Sequence, residues 1–164
     1  MSFDELLQEK DNEFKQAVDE RRRREAQTIQ LLVTLIDSYD RSLRTALGML
    51  RELKDVEIVR ERPGAPQNGW VEAAVVCRCH TALIDIRMEA AFAWEVSAEA
   101  ASTGAGRVEP MRVCAARRRS NHFTDPVVYQ FAAGHLSYPN CGVDVRDLDQ
   151  AIRDAIGQLP PEIP

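Results

Sequence analysis

Between residues 29 and 53 the apolar positions Ile29, Leu32, Ile36, Tyr39, Leu43, Ala46, Leu50 and Leu53 step alternately by three and four. That spacing is one face of a helix kept for about three and a half heptads, and it predicts a coiled-coil seam or a helix hairpin. No proline occurs from residue 3 to about 59, and Gly48 is the only glycine there. Val33, Leu35 and Leu47 lie outside the seam and widen the stripe, as in a helix that also packs on something else. Upstream the heptad positions fall on Glu25, Arg22, Lys15 and Asp11, leaving a sparse apolar line of Phe3, Leu7, Phe14 and Val18. One unbroken helix of this length would reach roughly 85 Å. A monomer has no core that long, so the helix is expected to bend back or to find a partner chain.

After the helical arm (residues 1–60), the turn formers Arg62-Pro-Gly-Ala-Pro-Gln-Asn-Gly69 mark a linker over 61–69. The period then changes to two. Val71, Ala73, Val75, Cys77 and Cys79 alternate with Glu72, Ala74, Val76 and Arg78, which predicts a strand with one drier face. A longer alternation runs from Ile84 to Glu99, and a strand of that length is expected to be curved or bulged. Ser102–Gly106 reads as a hairpin loop, followed by strands at about 107–118 and 126–133 and a turn at Tyr138–Gly142. A helix is expected from Val145 to about Leu159, with Asp144 as N-cap and Pro160-Pro161 beyond its end. The expected fold is α+β: a long N-terminal helical region with coiled-coil-like heptads, a four-stranded antiparallel meander and a short C-terminal helix. Residues 70–164 form the sheet domain.

Charge changes the picture at one place. The formal net charge of -5 argues against a general nucleic-acid binder. Residues 1–20 hold seven acids against Lys10 and Lys15, and the other 144 residues balance at 19 acids and 19 bases. The first residues lack the pattern of a signal peptide, and the longest uncharged run, Pro126–Val143, holds two prolines and two glycines, so no membrane span is expected. Four cysteines without a secretory signal read as reduced thiols, and the expected location is cytoplasmic.

Cys77-Arg-Cys79-His80 is the most suggestive local string, with Cys114, His122, His135 and Cys141 as distant candidates. A one-residue spacing on a strand does not form the turn that a Cys-x2-Cys zinc site uses, so two buried thiols are the simpler reading, and no metal or cofactor is expected. Ser120, Asn121, His122 and Asp125 are neighbours in one polar loop, whereas a catalytic triad converges from separate segments. Gly104-x-Gly106 lacks the strand-then-helix context of a phosphate loop.

Two arginine runs remain. Arg21–Arg24 can pair with acids one turn away on the same helix, or with the acidic segment of an antiparallel neighbour. Arg117, Arg118 and Arg119, with Arg112, Arg107 and His122 near, form the basic patch of the sheet half and the candidate partner-binding surface. Trp70, Phe92, Trp94, Phe123, Tyr129, Phe131 and Tyr138 read as core, or as the lining of a groove if the sheet is left open.

Taken together these features predict a non-enzymatic, homo-oligomeric adaptor, chaperone or inhibitor-like protein. It would associate through Ile29, Leu32, Ile36, Tyr39, Leu43, Leu50 and Leu53 and bind an unidentified protein partner. One alternative is a small-molecule-binding or enzymatic domain with a pocket among Met88, Phe92, Trp94 and the strand cysteines. The other is a dimeric nucleic-acid regulator using Arg21–Arg24.

Overall fold

A computed structural model describes residues 2–96, 106–118, 128–132, 134–136 and 141–161. Helix α1 spans Phe3–Gly48. It opens on a capping box: the Glu5 amide donates to Ser2 Oγ at 3.2 Å, and the Ser2 amide donates to a Glu5 carboxylate oxygen at 3.0 Å. Its 46 residues make it about 69 Å long.

The helix ends about eleven residues before the sequence pattern suggested, because Lys54–Glu61 is strand β1. The helical reading of residues 49–60 is therefore corrected. β1 is an edge strand in which only Ile58 is half-buried, so it carries no alternation by which to recognise it. Leu50 and Leu53 extend the heptad spacing by chance of position, since both pack on the core from the connection between α1 and β1.

Strands β2 (Trp70–His80), β3 (Ile84–Glu95), β4 (Gly106–Val108), β5 (Met111–Arg117) and β6 (Val128–Ala132) complete an antiparallel sheet. Its order is β1-β2-β3-β5-β6, with β4 also on β3. The four strands expected from alternation are thus present as a meander, joined at one edge by β1. The expected strand at 107–118 is two pieces separated by Glu109-Pro110, where proline removes a ladder donor. Residues 97–105 lie outside the described residues, and with them the end of the long expected strand and most of the expected hairpin loop.

The expected linker contains the β1–β2 turn. Asn68 (φ 52°) and Gly69 (φ 77°) both have positive φ, and Gln67 and Trp70 exchange backbone hydrogen bonds of 2.9 Å. This is the two-residue turn whose twist matches the strands it joins.

Strand β3 alternates buried and half-buried residues along nearly its whole length. Its dry face, with that of β2, meets α1. Tyr39 packs edge-on against Phe92 with ring centroids 5.6 Å apart. Leu32, Leu35, Leu43, Val71, Val75, Ile86, Met88 and Val113 are fully buried around this contact. Helix α2 (Val145–Gly157) lies on the same side over β5 and β6, burying Leu148, Ala151, Ile152 and Ala155. Asp144 is its N-cap residue, without a side-chain capping bond. The opposite face of the sheet has no helix against it among the described residues.

A small sheet of β7 (Gly134–Leu136) and β8 (Cys141–Val143) replaces part of the expected turn at 138–142. Its docking on α1 is chemical as well as apolar. Ser38 Oγ donates to the Cys141 carbonyl at 2.8 Å and accepts from the Cys141 amide at 3.2 Å. Ser42 repeats this with Val143 at 2.8 and 2.9 Å. One turn of helix therefore presents two hydroxyls that act as the missing neighbour strand of β8. Gly142 allows the approach, since a Cβ there would collide with the Ser42 side chain.

Replacing Ser42 with alanine strands both the amide and the carbonyl of buried Val143. We expect a loss of about 1–3 kcal/mol, read as a lower midpoint in urea unfolding with an unchanged slope.

Candidate functional site

The seam residues are accounted for within one chain. Leu32, Ile36, Tyr39, Leu43 and Ala46 are buried against the chain's own sheet and β8, and Ile29, Leu50 and Leu53 pack at the margin of that core. The buried face also takes in Thr28, Leu31, Leu35 and Leu47, which makes it wider than a two-stranded seam.

Upstream of Thr28 the same helix leaves the body. From Ser2 to Arg23 every residue is exposed except Val18, which is half-buried. Phe3 is 74% exposed, Phe14 71% and Leu7 51%. At about 100° per residue, Phe3, Leu7, Phe14 and Val18 fall within about 60° of one another, on the face that carries Leu32 and Tyr39 farther along. One apolar face thus runs the length of α1, and only its C-terminal half is covered.

The projecting half is held by short-range pairs: Lys10 with Glu13 at 3.1 Å, Arg21 with Glu25 at 3.2 Å, and Arg24 with Glu20 at 3.4 Å. Arg22 and Arg23 have no such partner among the described residues. Where the helix leaves the body, Arg21, Arg24 and Glu25 face the β1–β2 turn. With Pro66, Asn68, Gly69 and Val96 they enclose a cleft of about 410 Å³.

Three of the four arginines proposed for partner binding, Arg112, Arg117 and Arg118, make contacts within their own chain. Arg117 donates to the Pro160 carbonyl at 2.8 Å. Arg118 lies 3.3 Å from Asp85, and Arg112 lies 3.6 Å from Glu89. Arg119 lies outside the described residues, as do Ser120, Asn121, His122 and Asp125.

A polar cluster that local sequence does not announce lies at the β2–β3 turn end of the sheet, where β1 begins. His80 Nε2 is 2.6 Å from an Asp55 carboxylate oxygen, and His80 Nδ1 is 2.9 Å from both the Thr81 carbonyl and an Arg118 nitrogen. Asp55 reaches His80 from a bulge in β1, at φ 53°. The nearby Thr81 hydroxyl accepts from the amides of Leu83 and Ile84. The arrangement orients a histidine but places no nucleophile on it among the described residues.

Cys77 and Cys79 are buried side by side on the core face of β2, and both thiols are free. The neighbouring Cys79 thiol and burial push the Cys77 pKa up, so Cys77 keeps its proton. Burial raises Cys141 from 9.0 to about 12. Among the described residues, no three His, Cys, Asp or Glu side chains gather as metal ligands would. Met88, Phe92 and Trp94, proposed as pocket walls, are packed core. The Trp94 ring lies over Gly106, where any Cβ would collide with it, and this close approach accounts for the second glycine of the Gly104-x-Gly106 pair.

Other hollows open among the described residues. On the uncovered sheet face a hollow of about 500 Å³ has Ala74, Ala91 and Ala93 in its lining, with Glu61, Glu72, Glu89 and Glu109 among its charged residues. Glutamate followed two residues on by alanine, as in Glu72 and Ala74 on β2 and Glu89 and Ala91 on β3, is the sequence signal for it. A crevice of about 320 Å³ between α2 and the α1–β1 connection is lined by Leu50, Leu53, Ile152 and Ile156.

The thiols give a direct check of the core. All four cysteines are buried and unpaired, so a thiol reagent at pH 8 should label none quickly in the folded protein and all four in denaturant. Because the folded state holds the Cys141 proton, its contribution to stability is complete below about pH 9 and falls as pH rises toward 12. Rapid labelling of Cys141 in native buffer would contradict its placement. No protein-family model, curated protein or solved structure matches this chain.

Proposed function

We propose that the chain is a non-enzymatic, homo-oligomeric adaptor that works by binding protein. The observation that carries this reading is the uncovered half of α1. It is a helix of more than twenty residues, built onto a folded body, that presents Phe3, Leu7 and Phe14 to water. Large exposed apolar groups in a line on a helix are the usual form of a helix–helix or helix-in-groove contact. The oligomer contact therefore moves from the 29–53 seam, which the chain's own core occupies, to residues 3–18. Four unpaired thiols are in keeping with a reducing compartment such as the cytoplasm.

The deciding measurement is absolute mass by light scattering on a sizing column across a concentration series. We expect a multiple of the 18.5 kDa chain mass. A mass of one chain at every concentration would remove the homo-oligomeric part of the reading.

The apolar crevice at Leu50, Leu53, Ile152 and Ile156 favours one second reading, a small apolar ligand held beside α2. A ligand there would raise the melting temperature of the monomeric body and leave the mass per particle unchanged. A ligand-independent oligomer with no melting shift across an apolar ligand panel would exclude it.

A further inference from the structure

We propose that the projecting half of α1 pairs with the same segment of a second copy, antiparallel, with Phe14 near the twofold axis. This rests on the self-association proposed above and adds its surface, direction and register.

Direction follows from where the charges stand. Asp4, Glu5 and Glu9 occupy the outer turns of the arm, and Arg21–Arg24 occupy its base. A parallel pair would set acids beside acids and four arginines beside four arginines. An antiparallel pair sets Asp4 and Glu5 of each copy beside Arg24 and Arg23 of the other. Arg22 and Arg23 lack intrachain partners among the described residues, so they are available for this contact.

Register follows from three positions. Phe14 is midway in sequence between Asp4 and Arg24, so the overlap that joins those charges brings the two Phe14 rings together at the axis. The same overlap lays Leu7 against the aliphatic stem of the other copy's Arg21, a cover that arginine provides well. It also delivers Phe3 to the height of Glu25, beside the cleft formed by Arg21, Arg24, Pro66, Asn68, Gly69 and Val96. That cleft is open where a second copy's first turn arrives. Apolar line, charge segregation and cleft thus agree on one occupant.

The test uses the full chain. A nitroxide is attached at Gln16→Cys or at Gln27→Cys, both exposed; the natural cysteines are all buried. In the proposed dimer the two Gln16→Cys labels are about 6 Å apart along the helix axis, and the two Gln27→Cys labels about 39 Å. Short separations at both positions mean a parallel pair, which overturns the inference but leaves self-association standing. A second arm uses Phe14→Asp, a change on exposed helix that should leave the melting temperature of the body unaltered. It is expected to give a one-chain mass at concentrations where the natural chain is dimeric. A Phe14→Asp chain that stays dimeric shows that another surface is used and also overturns the inference. A third arm mixes Arg22→Glu/Arg23→Glu chains with Asp4→Lys/Glu5→Lys chains. Each variant alone should dimerise at least tenfold more weakly, and the mixture should recover. A natural chain of one-chain mass throughout overturns both this inference and the reading it rests on.

Discussion

A length mismatch governs this molecule. Helix α1 is about 69 Å long, while the longest strand beneath it, β3 with 12 residues, spans about 40 Å. No proline interrupts the helix and nothing bends it back, so the surplus must project. Burial of Leu32, Leu35, Tyr39 and Leu43 against Phe92, Met88 and Val75 fixes one half of the rod. The fixed half then aims the free half. The cleft beside Pro66 and Val96 lies where the rod passes the end of the sheet, and the Ser38 and Ser42 contacts to β8 lock the rod's rotation.

Such a projection is poor material for catalysis and good material for docking. The free half is held by a capping box and three surface ion pairs. Each surface pair contributes about 0.3–0.5 kcal/mol. A separate peptide of that length would form helix only in part, because nucleation is costly. Here the folded body supplies the nucleus, and the free turns need only propagate from it. A partner that covers Phe3, Leu7 and Phe14 therefore meets a helix already ordered, and little of the binding energy goes into ordering it.

The legibility of the fold in the sequence followed burial closely. Strand β3 was plain because nearly every second residue is buried, from Ile84 to Trp94. Strand β1 was hidden because an edge strand with one half-buried residue has almost no period to detect. Strand β8 was hidden for a different reason: on the side away from β7 its backbone is bonded by the Ser38 and Ser42 hydroxyls, and two serines four apart on a helix do not announce a strand elsewhere. The contacts of Arg112, Arg117 and Arg118 were hidden because their acceptors, Glu89, the Pro160 carbonyl and Asp85, are remote in sequence. The Asp55–His80–Arg118 cluster was invisible for the same reason.

The heptad seam shows how one pattern supports two structures. A spacing of three and four reports that a helix face is covered; it does not report by what. A second helix covers a narrow stripe, and a sheet covers a broad one. Val33, Leu35 and Leu47 already broadened the stripe in the sequence, and in the fold Leu35 and Leu47 are buried against the body. Phe3, Leu7, Phe14 and Val18 form the narrower stripe, with charged residues on either side of it. The weaker apolar signal is therefore the better match to a helical partner. The stronger one was strong because an entire sheet lies against it.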